Sequence, residues 1–136
     1  LVPVLTRYTG HDRVRQDRMH AIAVEAAEQC GGTTLPEIEM PVKLDQLLDG
    51  WPDDRPLYFC DERRDAKPFQ QVLAEMTADK SAILIGPEGG FSEDERDRLA
   101  AHKAAVPVTL GPRILRAETA CLAALTIWQA CHGDWS

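Results

Sequence analysis

Residues 82–95 read Ala-Ile-Leu-Ile-Gly-Pro-Glu-Gly-Gly-Phe-Ser-Glu-Asp-Glu. The first four are apolar, partly β-branched and bounded by Ser81 and Gly86, which predicts a central strand covered on both faces. The strand runs straight into the loop Gly86-Pro87-Glu88-Gly89-Gly90. Ser92 and Glu95 then stand at capping-box spacing, with more acid at Glu93 and Asp94 where a helix macrodipole favours it. A helix is therefore expected to about His102.

The same alternation extends to both sides. Downstream, Val106 to Leu110 reads as a strand and Glu118 to Cys131 as a helix. Upstream, Leu57 to Cys60 reads as a buried strand, followed by a helix over Lys67 to Met76 with Phe69, Val72, Leu73 and Met76 on one side. Val2 to Leu5 suits a short strand. Met19, Ile22, Ala23, Ala26, Ala27 and Cys30 recur at helical spacing, predicting a helix from about Arg13 that stops at Gly31-Gly32. A shorter helix carrying Leu44, Leu47 and Leu48 ends at Gly50. Strand–helix alternation predicts one α/β domain over residues 1–136: a mostly parallel sheet with helices on both faces.

Composition agrees with a packed domain. The 136 residues are 44% apolar and 27% charged, enough for a core and against intrinsic disorder. Lys and Arg number 15 against 22 Asp and Glu, a net charge of −7 that argues against a nucleic-acid coat binding through bulk charge. The charge is uneven: residues 1–20, with Arg7, Arg13, Arg15 and Arg18, carry net +2, and the rest −9. No apolar run approaches the ~18 residues of a membrane span, and no basic-then-apolar leader opens the chain, so a cytoplasmic protein is expected. Cys30, Cys60, Cys121 and Cys131 contain no CxxC pair and no His at ligand spacing, which predicts buried free thiols in a reducing compartment and no metal. The chain begins at Leu1 with no initiator Met, as a piece of a longer protein would.

Ligands of open α/β sheets bind at the carboxyl ends of the strands. Three such ends stand out: Cys60-Asp61-Glu62-Arg63, Ile85 to Phe91, and Leu110 to Ala120. The glycine loop fits neither the Walker nor the dinucleotide pattern, and the carboxylate of Glu88 at its centre would repel phosphate. It would suit ribose hydroxyls, an ammonium or a sulfonium; the loop would equally serve as a tight strand-to-helix turn. In the third segment Ile114 and Leu115 could sandwich a flat ring, while Arg113 and Arg116 could hold an anion or an RNA backbone.

Taken together, LIGPEGGFSEDE (84–95), LGPRILRAETA (110–120) and AIAVEAAEQCGGTTLPEI (21–38) resemble the bacterial 16S rRNA (uracil-N3)-methyltransferases, S-adenosyl-L-methionine (SAM)-dependent enzymes of the SPOUT superfamily. The resemblance covers essentially the whole chain. It implies a C-terminal trefoil knot, a homodimer, 16S rRNA of the small ribosomal subunit as substrate, S-adenosylhomocysteine as product and no metal. It further implies an N-terminal PUA-like RNA-binding domain, absent from this chain along with the catalytic domain's first strand and helix. Carried over by motif, the cofactor residues are Cys60, Asp61, Ile85, Gly86, Pro87, Glu88, Gly89, Gly90, Leu110, Gly111, Ile114, Leu115, Thr119 and Ala120.

By the same resemblance Arg116, or in second place Arg7, stabilises the uracil anion, and Glu118 is the candidate base or a helix-capping acid. Arg13, Arg15, Arg18 and Arg113 are the expected RNA contacts. The chain departs from the family pattern after its first strand, reading Thr6-Arg7-Tyr8-Thr9 where some members have Thr-Glu-Arg-Ser. It also has Gly32 and Thr34 where many members carry arginine. A ribose 2′-O-methyltransferase and an inactive SAM-binding, dimerising module are the alternative readings.

Overall fold

A computed structural model describes residues 1–10, 14–61, 65–76, 78 and 80–135. In chain order the elements are β1 (Val4–Leu5), α1 (Gln16–Cys30), β2 (Val42–Lys43), α2 (Leu44–Asp49), β3 (Leu57–Cys60), α3 (Phe69–Glu75), β4 (Ala82–Leu84), α4 (Glu93–Ala101), β5 (Ala105–Val108) and α5 (Ala117–His132). All strand pairs are parallel: β1 with β2, and a three-stranded sheet in the order β4-β3-β5. The chain is thus α/β, as the alternation predicts.

β3 explains the two covered faces. Successive side chains of a strand point to opposite sides. Leu57 and Phe59 enter a cluster with Leu44 and Leu48 of α2, Leu99 of α4, Leu84 and Phe91. Tyr58 faces the other way, against Phe69, Val72 and Leu73 of α3 and Ala124 of α5, with Cys60 at the margin. Both faces are dry, so the strand reads as an unbroken apolar run. Phe59 and Phe91 meet edge to face at 6.4 Å, and Tyr58 lies 5.1 Å from Phe69.

Several expectations are corrected. The strand expected at the centre, Ala82–Leu84, lies at an edge, and β3 is central. Two covered faces do not distinguish those positions, because the helices cover edge strands too. β2 was not anticipated; it is two residues long, and its pairing is fixed by main-chain bonds such as Val42 N–H to Pro3 O (3.0 Å). α1 begins at Gln16, and the expected start near Arg13 lies outside the described residues. More consequentially, α1 buries none of its residues, and Ile22 is 56% exposed. Its apolar stripe is mostly alanine, and a stripe shows which way side chains point without bringing another element to it.

The cysteines are free, but they are not packing residues: Cys30, Cys121 and Cys131 are exposed and only Cys60 is partly buried. Cys30 ends α1, which buries none of its residues, and Cys121 and Cys131 stand near the two ends of α5. The local signals near residue 90 hold in detail. Ser92 N–H donates to Glu95 Oε2 (2.9 Å) and Glu95 N–H to Ser92 Oγ (3.3 Å), completing the capping box. Gly31, at φ 70°, closes α1, with Gly32 N–H bonded to Ala27 O at 2.8 Å. Among the described residues, no helix is long and apolar enough to cross a membrane.

Candidate functional site

The carboxyl ends of β3, β4 and β5 converge on one cleft, lined by Cys60, Asp61, Ile85, Gly86, Pro87, Glu88, Phe91, Thr109, Leu110, Gly111, Arg113, Ile114, Leu115, Ala117 and Ala120. Its atom-free space, with the open mouth and the solvent in it included, is about 680 Å³. Parallel strands produce this convergence: each turns into its helix at the same end of the sheet, leaving a crevice between the turns.

Each wall has a local cause. On the β4 side, Gly90 N–H donates to Pro87 O at 2.8 Å, closing a tight turn, and Gly90 takes φ 67°, which favours glycine. At Gly86, a Cβ would come within 3.1 Å of the Phe91 ring, so the missing side chain lets Phe91 tuck under the loop as its floor. On the β5 side, Thr109 Oγ1 accepts from Gly111 N–H (3.2 Å) and donates to Gly111 O (3.1 Å), and Gly111 sits at φ 123°. The main chain is pinned from below: Thr109 O accepts from Phe69 N–H (3.1 Å), and Thr109 N–H donates to Lys67 O (3.0 Å). Beyond this anchor Ile114 is 72% exposed, a large apolar side chain held at the cleft.

The chemistry of the lining is mixed. Glu88 places a carboxylate on one wall and Arg113 a guanidinium on another, with apolar surface between them. Burial, with Cys121 nearby, pushes the Cys60 thiol up to about 12. At pH 8 roughly one molecule in 10⁴ then carries the Cys60 thiolate, the reactive form. Iodoacetamide at that pH is expected to modify exposed Cys30 and Cys131 first and to leave Cys60 intact; peptide mass spectrometry over a time course checks this.

Of the expected cofactor residues, Cys60, Asp61, Ile85, Gly86, Pro87, Glu88, Leu110, Gly111, Ile114, Leu115 and Ala120 stand on the cleft wall. Gly89 and Gly90 shape the loop behind it, and Thr119 is exposed on α5 without lining it. Arg113, expected as an RNA contact, is exposed and also lines the cleft. Arg116 is the exposed N-cap of α5 and Glu118 lies in its first turn; neither lines the cleft, although Leu115 and Ala117 beside Arg116 do. Arg7 is likewise exposed and off the wall. Arg15 is paired with Asp17 at 2.7 Å, which holds the Asp17 carboxyl below its usual range. Arg18 is exposed, and Arg13, Glu62 and Arg63 lie outside the described residues.

Phe91, Thr109 and Ala117 were missed. The signal for Phe91 was an apolar residue directly after a glycine turn, and for Thr109 a hydroxyl two residues before a glycine. Ala117 left no signal, since it lines the cleft only through the placement of α5.

The sequence matches the RNA methyltransferase domain over residues 1–129. Ribosomal RNA small subunit methyltransferase E of Rickettsia conorii is 30% identical over 125 residues, 92% of this chain and 51% of that protein. The protein of the same name from Bacillus subtilis is 34% identical over 117 residues, covering 82% and 45%. The chain thus spans about half the length of the curated relatives it matches. Among solved structures, a ribosomal RNA small subunit methyltransferase E from Neisseria gonorrhoeae bound to S-adenosyl methionine superposes with a TM-score of 0.80 at 30% identity, covering 98% of this chain and 55% of that one. With a match over nearly its whole length, this chain belongs to the RNA methyltransferase domain family.

Proposed function

We propose that this domain binds SAM in the cleft and methylates N3 of a uridine in 16S rRNA of the small ribosomal subunit. The observation that carries the reading is the pairing, in one cleft, of the Glu88 carboxylate with the apolar surface of Ile114 and Leu115. That combination suits a ligand with a cationic sulfonium at one end and a flat heterocycle at the other. The relatives' name and the cofactor in the gonococcal structure point the same way.

The residues present fit such a ligand: at Gly111 nothing lies within 4 Å of where a Cβ would stand, which leaves that main chain open to close approach, and Asp61 also lines the cleft. Bound there, SAM supplies an electrophilic methyl group and leaves as S-adenosylhomocysteine. The remaining work belongs to the chain. Holding the uridine ring at the mouth supplies the proximity term. Arg116, with Arg7 as the other candidate, stabilises the negative charge that develops on uracil when N3 loses its proton. Glu118 is the candidate acceptor of that proton.

The reading includes a SPOUT trefoil knot, a cytoplasmic location, and an upstream PUA-like domain with the catalytic domain's first strand and helix; the coding sequence before Leu1 tests that last part. It also includes a homodimer. Leu122 and Leu125, three residues apart on α5, are 69% and 53% exposed, an apolar face that a second copy would cover. Leu122→Glu combined with Leu125→Glu is expected to give a folded monomer by light scattering; an unchanged molar mass would refute the α5 interface.

The central test is calorimetry with SAM, followed by transfer from tritiated SAM to small ribosomal subunits and chromatography of the digested RNA. 3-Methyluridine is the expected product. A 2′-O-methyl nucleoside would place the activity on the ribose, binding without transfer would indicate a SAM-binding module, and no binding would refute the cleft assignment.

A further inference from the structure

The segment after β1 does not line the cofactor cleft, yet it is built onto the loop that does. Thr6 to Thr9 forms a closed turn: Thr6 N–H donates to Thr9 Oγ1 at 2.9 Å, and Thr9 N–H donates to Thr6 O at 3.2 Å. Glu95 ties this turn to the α4 cap. Its Oε1 accepts from Arg7 N–H at 2.7 Å, while its Oε2 accepts from Ser92 N–H at 2.9 Å and Ser92 Oγ–H at 3.1 Å. One carboxylate thus ties together the turn after β1 and the start of α4, which lie far apart in the sequence.

The consequence falls on Tyr8. A Cβ added at Gly89 would lie 2.9 Å from Tyr8 Cβ and 3.3 Å from its Cγ, so the stem of Tyr8 rests on the Gly89 main chain. The residue nevertheless stays 52% exposed. Gly89 belongs to the turn between Pro87 and Gly90, and Pro87 and Glu88 are on the cleft wall. Tyr8 is therefore held by its stem against the loop that forms one wall of the cleft, with about half of the residue exposed and an exposed arginine, Arg7, beside it in the chain. A core role would bury the ring, and a mere turn would not require an aromatic residue. A ring held at one edge and open to solvent offers a π face for a nucleobase, and a neighbouring cation offers a phosphate contact.

We propose that Tyr8 is the stacking platform for an unpaired pyrimidine of the RNA at the mouth of the cleft, with Glu95 as the positioning residue that holds its loop against Gly89. The inference rests on the RNA-methylating reading above, and its test has an arm independent of methyl transfer. Fluorescein-labelled decauridine is titrated at low salt by anisotropy against the wild-type chain, Tyr8→Ala, Tyr8→Phe and Glu95→Gln, with SAM affinity measured in parallel by calorimetry.

Alanine is expected to weaken oligonucleotide binding about 10-fold, phenylalanine less than about 2-fold, and SAM affinity to stay within about 2-fold in both. Glu95→Gln should fall between them and be rescued in no part by a higher SAM concentration. Equal binding by wild type and Tyr8→Ala, no binding by wild type, or a parallel loss of SAM affinity in Tyr8→Ala overturns the platform. If decauridine binding follows the expected order while small subunits receive no methyl group, the platform stands and the methyltransferase reading fails.

Discussion

Alanine at Phe69 lowers the stability of the domain by about 3–5 kcal/mol, the usual cost of removing a fully buried aromatic side chain. Phe69 is 0% exposed, packs against Tyr58 at 5.1 Å, and joins α3 to the sheet beside Val72, Leu73, Val108 and Ala124. Domains of this kind have about 5–15 kcal/mol in total, so at least about a fifth of it would be lost. Urea denaturation followed by circular dichroism measures it, and Phe69→Leu should recover more than half because it keeps most of the volume. The effect should reach the cleft, since Phe69 N–H holds Thr109 O, from which the wall at Leu110 to Leu115 extends. A loss below about 1 kcal/mol would mean the site collapses around the cavity and that the packing on this face of β3 is loose.

The second large effect is chemical. Arg116→Ala is expected to slow single-turnover methyl transfer to small ribosomal subunits by about 10²–10³, the range seen when a fixed donor to a developing anion is removed. SAM affinity should stay within about 2-fold, because the Arg116 side chain does not line the cleft. Stability should change little: Arg116 is exposed and makes no side-chain capping bond to α5. Glu118→Gln separates the two roles open to that acid. As a base, Glu118 would be needed for transfer, and its loss would slow the single-turnover rate without changing stability. As a first-turn charge stabilising α5, its replacement would cost about 0.3–1 kcal/mol of stability and leave the rate intact. Full activity of Arg116→Ala would move the anion-stabilising role to Arg7, which the same assay tests.

Legibility in the sequence divided by the range of the interaction. The capping box at Ser92 and Glu95, the Gly31 stop and the helices α3 and α5 could be read because their signals lie within a few residues of one another. The three strand ends could be named in advance because parallel alternation places them on one edge, and all three do line one cleft. β2 escaped because two residues carry no period, and its partner Val4 is 38 positions away. That Arg113 lines the cleft while Arg116, three residues on, does not, follows from how the loop after Gly111 leads into α5, which no local pattern carries.

From the chain alone come the α/β alternation, the glycine turns and the candidate cleft, all consequences of what each backbone does with its near neighbours. Only the folded arrangement decides that β3 is central, that α1 buries none of its residues, that three cysteines are exposed, and that Tyr8 rests on Gly89 under the hold of Glu95. The physical reason is that periodicity encodes a side chain's direction from its own backbone, whereas burial and contact depend on what other segments bring to that side. Tyr8 and Gly89 are 81 residues apart, and no local rule joins them.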